Sequence, residues 1–164
     1  MRLLASPTSA KLRLAARATL LVAACLAAGI CRAQYSQAFS PADREMADHL
    51  LSCASAHSDN IQLMQQIGKD VQAFYPVVGY FKVGGMAFSS AAYAEKKYLG
   101  FREESRKRMD EAVAAPEPES AQKFKAFGDG LKKYLLECAD FQRRNADLIT
   151  ARIKSSGVLD KSHP

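Results

Sequence analysis

Three side chains in one short segment could do chemistry together. His49, Cys53 and His57 are each four residues apart, so on a helix they lie along one face. Imidazole and thiolate groups are ligands that zinc and copper accept. On a helix the three span ~12 Å along the axis, too far for one ion, so at most two neighbours could share a metal. His49 and His57 are therefore metal-ligand candidates, beside the simpler interpretation of two histidines flanking a structural cysteine.

Cys53 could also act as a nucleophile, with either histidine as its base. The rest of the sequence does not favour catalysis. It has no Gly-x-Ser-x-Gly, no Cys-x-x-Cys, no P-loop and no Gly-x-Gly-x-x-Gly motif. We therefore expect neither an enzyme nor a cofactor, and a catalytic Cys53 requires that its thiol be free.

The amino-terminal segment decides the state of the cysteines. Residues 1–17 carry four basic side chains and no acid, residues 18–31 are uncharged and apolar, and Ala33 ends a small-x-small motif. This order is typical of a secretory signal peptide, which predicts a periplasmic or secreted protein beginning at Gln34. The alternative is a lipoprotein anchored at Cys25, but that cleavage would leave three cysteines besides the lipidated one, and therefore an odd thiol.

Cleavage after Ala33 leaves two cysteines, Cys53 and Cys138. Both fall on the apolar stripe of a predicted helix, the first and the last of the mature chain. In an oxidising compartment such a pair forms a disulfide. The sequence therefore predicts a structural bridge that joins the first helix to the last.

A second candidate site is the stretch 77–93, where aromatic residues and a methionine alternate with glycine and alanine. It is either the most buried helix of the fold or an interface for an apolar ligand or a partner helix. The pair Gly84-Gly85 indicates a bend or the close approach of another backbone. As an interaction surface the stretch would offer five side chains, Tyr80, Phe81, Met86, Phe88 and Tyr93.

Charge limits the class of partner. The chain has 23 basic and 17 acidic residues, but five of the basic ones and none of the acidic ones lie in residues 1–33. The remainder is close to neutral, and its basic clusters at 102–108 and 143–144 are interspersed with acids. This is typical of solvated helix faces and does not favour nucleic-acid binding.

Helical periodicity places these residues in an all-α, antiparallel bundle of three to four helices. Ser40 and Pro41 predict the start of the first helix, with a stop at Gly68 and a break conceivable at Ser58-Asp59. Residues 114–119 predict a linker, and no later apolar run is long enough to span a membrane. The predicted division is a signal peptide at 1–33, a flexible leader at 34–40, a helical bundle at 41–156 and a loose tail at 157–164.

From these features we expect an exported, non-enzymatic helical protein that acts through protein interaction or as a structural or accessory factor. Its partner would be another protein, a second copy of the chain in a homodimer, or a small apolar ligand. The alternative is a small-ligand or metal-binding bundle that uses His49 and His57.

Overall fold

A computed structural model describes residues 39–159 of the chain. This part contains four α-helices, and no strand occurs in it. Helix α1 spans Pro41–Gln66, α2 spans Tyr75–Ala87, α3 spans Ala91–Ala114 and α4 spans Glu119–Ser156. A 3-10 turn at Gln72–Phe74 precedes α2. The predicted all-α class is confirmed.

Local sequence signals set most helix ends. Ser40 caps α1 in a capping box, accepting from the Asp43 N–H at 3.0 Å while the Asp43 carboxylate accepts from the Ser40 N–H. Gly68, just after α1, has a φ of 72°, which side-chain-bearing residues rarely adopt. Ser90 caps α3 through the Tyr93 N–H.

Contacts between named residues define the order and direction of the helices. Three residues of α1 contact α2: Leu50 lies against Gly84, His57 against Phe81 and Gln65 against Tyr75. Residue numbers rise along α1 as they fall along α2, so these helices are antiparallel. Asp43 and Cys53 of α1 meet Arg152 and Cys138 of α4, again in reverse order. Helix α1 contacts each of the other three helices. The chain thus runs up, down, up and down around α1.

The core lies where α1, α2 and the carboxyl-terminal half of α4 meet. Its largest fully buried side chains are Phe81, Leu50, Leu51 and Ile149, together with both cysteines. Gly85 lets α1 and α2 approach closely, because a Cβ there would come within 2.5 Å of a Leu51 methyl group. The close neighbours of Gly84 and Gly85 are therefore side chains, Leu50 and Leu51 of α1, and not another backbone.

The conceivable break at Ser58-Asp59 does not occur, and α1 runs through it. The reason is long-range: Ser58 bonds to the Tyr98 hydroxyl at 2.9 Å, and Asp59 is paired with Arg102, so both polar side chains find partners on α3. Ser58 also donates to the Ala54 carbonyl one turn back, a bond made within the helix that leaves α1 continuous.

The predicted signal peptide, its alternative cleavage at Cys25 and most of the leader lie outside the described residues, as do residues 160–164 of the tail. No helix in residues 39–159 has the length and apolar character needed to cross a bilayer.

Candidate functional site

The predicted disulfide is present. Cys53 and Cys138 are bonded with their Cα atoms 5.7 Å apart, and both residues are fully buried. The sulfur of Cys53 is therefore neither a thiolate ligand nor a nucleophile in this state.

The two candidate histidines face different helices. The His49 ring lies 3.9 Å from the ring of Phe141 on α4, whereas His57 stacks on Phe81 of α2 with a centroid distance of 5.4 Å. Burial is the main cause that lowers the pKa of each imidazole, and the Arg144 charge lowers that of His49 further. Among residues 39–159 no group of three His, Cys, Asp or Glu side chains is placed to hold a metal. The structure thus places the two histidines against different helices, and they do not form one site.

The predicted aromatic surface requires a correction. Phe81 and Phe88 are only 0% and 4% exposed, so they belong to the core and cannot contact a partner. Tyr80, Met86 and Tyr93 are half-buried. The Tyr93 hydroxyl donates to Asp48 at 2.8 Å, which fixes α3 against α1. Helix α2 is apolar on several sides because it is central to the packing.

The clearest concave site lies elsewhere, in a groove bounded by α1, α3 and the amino-terminal half of α4. Its volume is about 660 Å³. This falls within the roughly 300–1,000 Å³ of small-molecule sites. We call it the α1/α3/α4 groove, and its lining residues are Ser52, Ser55, Ala56, Asp59, Phe101, Glu104, Ser105, Arg108, Glu111, Ala112, Lys123, Ala126, Phe127, Gly130, Leu131 and Tyr134.

The groove exists because α4 is longer than the helices that pack against it. The apolar stripe of α4 starts at Phe124, yet its buried residues, Cys138, Ile149 and Ile153, all lie in the carboxyl-terminal half. Helix α2 contacts α4 in that same half, for example between Ala87 and Arg152. The groove receives no lining residue from α2. One apolar wall, Phe127 and Leu131, is consequently left facing open space.

A buried carboxylate lies at the base of the groove. Asp59 is 4% exposed and forms an ion pair with Arg102, and Ser105 of α3 lies beside its carboxylate. Arg102 also donates to Gln62 at 3.2 Å, so two side chains of α1 hold the guanidinium of this α3 residue in place. Burial raises the pKa of Asp59, and the Ser105 hydrogen bond and the charges of Arg102 and Arg108 partly offset that rise.

Hydroxyl groups complete the base. Ser52 donates to the His49 carbonyl at 2.9 Å, so the Tyr134 hydroxyl must donate to Ser52 at 2.5 Å, which leaves the Tyr134 oxygen able to accept. Ser55 is 3% exposed, and no partner for its hydroxyl is found among residues 39–159. The base therefore offers acceptors and one unengaged hydroxyl below apolar walls.

Sequence reasoning missed this site. The available signal was a polar row on an apolar helix: Ser52, Ser55 and Asp59 are spaced by three and four residues, so they share one face of α1. Asp59 was instead read as a possible helix break, because its partner Arg102 is 43 residues away.

Comparison with known proteins adds no relative: no protein-family model matches the chain, and neither a curated protein sequence nor a solved structure is significantly similar to it.

Proposed function

We propose that this chain is an exported, non-enzymatic binding protein whose α1/α3/α4 groove holds a small, largely apolar molecule. The observation that carries the proposal is the uncovered apolar wall of α4 facing a groove of about 660 Å³. An apolar cavity with a few convergent polar groups is the usual form of a small-molecule site.

Export is supported by two independent features. The order of charged, apolar and small residues in 1–33 is typical of a signal peptide. The Cys53–Cys138 disulfide is the kind of bond that persists outside the reducing interior of a cell.

Protein interaction, including homodimer formation, is the second candidate. It is favoured by exposed apolar side chains around the junction of α3 and α4, where Val113 is 66% and Phe124 is 41% exposed. A partner helix that covered the amino-terminal half of α4 would bury Phe124. Metal binding by His49 and His57 has less support, because each histidine packs on an aromatic ring of a different helix.

Two glycines of α4 provide a matched test of the groove. Gly130 lines it and Gly128 does not, and a Cβ at either position would meet no atom within 4 Å. Gly130→Leu and Gly128→Leu therefore change helix propensity equally, by up to about 1 kcal/mol, but only the first projects a side chain into the groove. The probe is Nile red, an uncharged dye whose fluorescence rises in apolar surroundings.

We expect the purified mature protein to bind Nile red as a monomer, Gly128→Leu to bind it equally well, and Gly130→Leu to bind it at least about ten-fold more weakly. Fluorescence titration and gel filtration measure these quantities. No dye binding, or equal binding by the two variants, would reject the groove as the site. A dimer in which Gly130→Leu dissociates the subunits would favour the protein-interaction alternative.

A further inference from the structure

We infer that the α1/α3/α4 groove selects an uncharged amphiphile whose polar end is a hydroxyl group, such as a long-chain alcohol. The inference rests on the proposed function and deepens it, since it assigns the chemistry of the ligand's polar end. It follows from which hydrogen-bonding groups at the base of the groove are already engaged.

Acceptors dominate the base. The Asp59 carboxylate can accept about four hydrogen bonds, and Arg102 uses part of that capacity. The Tyr134 oxygen also keeps an acceptor site, because its hydrogen is donated to Ser52. A ligand that brings no donor would desolvate these acceptors without compensation, at a cost that weakens binding.

One donor is also present. The Ser55 hydroxyl has no protein partner although the residue is 97% buried, and Ser55 lies one helical turn from Asp59 on the same face of α1. A ligand hydroxyl can donate to an acceptor of the base and accept from Ser55 at the same time. An ammonium group only donates, whereas a carboxylate or an ether only accepts.

Charge argues against either kind of ion. A ligand anion would meet three carboxylates of the lining, Asp59, Glu104 and Glu111, and would find the nearby cations engaged: Arg108 with Glu104 and Lys123 with Glu119. A ligand cation at Asp59 would meet the guanidinium of Arg102 and the charge of Arg108. A neutral polar end avoids both repulsions.

The walls fit an alkyl or ring body. Phe101 of α3 and Phe127 and Leu131 of α4 line the groove above the polar base, with Ala56, Ala112 and Ala126 leaving room between them. Because the groove is open to solvent along one side, a chain longer than the groove can extend outward. The apolar surface provides affinity, and the base provides selectivity.

The test is a competition assay against bound Nile red with four ligands that share a ten-carbon chain: 1-decanol, its methyl ether, decanoate and decylammonium. All are used below the concentrations at which they aggregate. We expect decanol to displace the dye at concentrations at least about five-fold lower than the other three require, the size of one hydrogen bond.

Ser55→Ala identifies the donor, and Ser58→Ala is its control, since Ser58 lies on the same helix but outside the groove lining. Relative to each variant's own Nile red affinity, Ser55→Ala should weaken decanol binding about three- to ten-fold, whereas Ser58→Ala should leave decanol binding unchanged. Melting curves verify that both variants are folded, and the four-ligand series tests the inference in the wild-type protein independently of any variant.

The two proposals fail separately. If decanoate, decylammonium or the ether competes as well as decanol, or if Ser55→Ala leaves decanol binding unchanged, the hydroxyl inference is wrong while the groove remains a binding site. If Nile red does not bind, or if Gly130→Leu does not reduce its binding, the proposed function is wrong and the inference falls with it.

Discussion

At the residue scale, the two histidines of α1 each bury a ring nitrogen that makes no hydrogen bond within residues 39–159. His49 Nε2 and His57 Nδ1 are buried, and neither has a hydrogen-bond partner among the described residues. Both rings instead pack against phenylalanine: His57 stacks on Phe81, and His49 lies tilted against Phe141. A buried polar atom without a partner costs stability, and a charge on it would cost more.

Acid should therefore destabilise the fold through these side chains. Burial lowers the pKa of both imidazoles below the usual 6.5, so as the pH falls the unfolded chain takes up protons first. The histidine contribution to stability is complete above about pH 6.5 and is lost as the pH falls towards the lowered native pKa. Urea unfolding at pH 7.5 and pH 5.0 should show a smaller loss for His57→Phe than for the wild type. Equal losses in the two proteins would mean that His57 protonation does not contribute.

At the scale of the element, the contact between α1 and α2 depends on the absence of a side chain. Leu51 is fully buried against Gly85, and a Cβ at that position would come within 2.5 Å of its Cδ2 atom. Gly100 on α3 has no atom within 4 Å of the corresponding position. The same substitution thus meets a packed helix at one glycine and open space at the other.

Gly85→Leu should lower the free energy of unfolding by about 3 kcal/mol, because overpacking forces α1 and α2 apart. Gly100→Leu should raise it by up to about 1 kcal/mol through helix propensity. Parallel melting curves and urea titrations of the two variants provide the comparison. A similar effect of both substitutions would show that α1 and α2 tolerate a side chain at their contact.

The elements also show which features a sequence can predict. Ser40, Pro41, Gly68 and the proline-containing linker are local signals, so they predicted helix ends within a few residues. The groove is not local: it depends on α2 having only 13 residues whereas α4 has 38. Helical periodicity shows that a face is apolar but not whether another helix covers it, so it does not distinguish buried Phe81 from partly exposed Phe127.

At the scale of the whole molecule, the disulfide joins the first helix to the last and closes a segment of 85 residues. In the chain-entropy model a loop of this length stabilises the fold by roughly 4 kcal/mol, a large part of the 5–15 kcal/mol typical of a domain. Cys53→Ala and Cys138→Ala should therefore lower the melting temperature by similar amounts, and the double variant should be no less stable than either single variant. Additive losses would contradict a purely structural bridge.

The same bridge lies beside the groove. Cys53 adjoins Ser52 in the sequence, and Cys138 is one turn beyond Tyr134, so the covalent bond is next to the Ser52–Tyr134 hydrogen bond that joins α1 to α4 at the base of the groove. Without the bond, α1 and α4 would be held there by noncovalent contacts alone, and the spacing of the walls would vary more. The double cysteine-to-alanine variant, assayed below its melting temperature, should bind Nile red more weakly than the wild type, and wild-type protein treated with a reductant should behave in the same way. Unchanged dye binding in both samples would show that packing alone sets the width of the groove and would confine the disulfide to a role in stability.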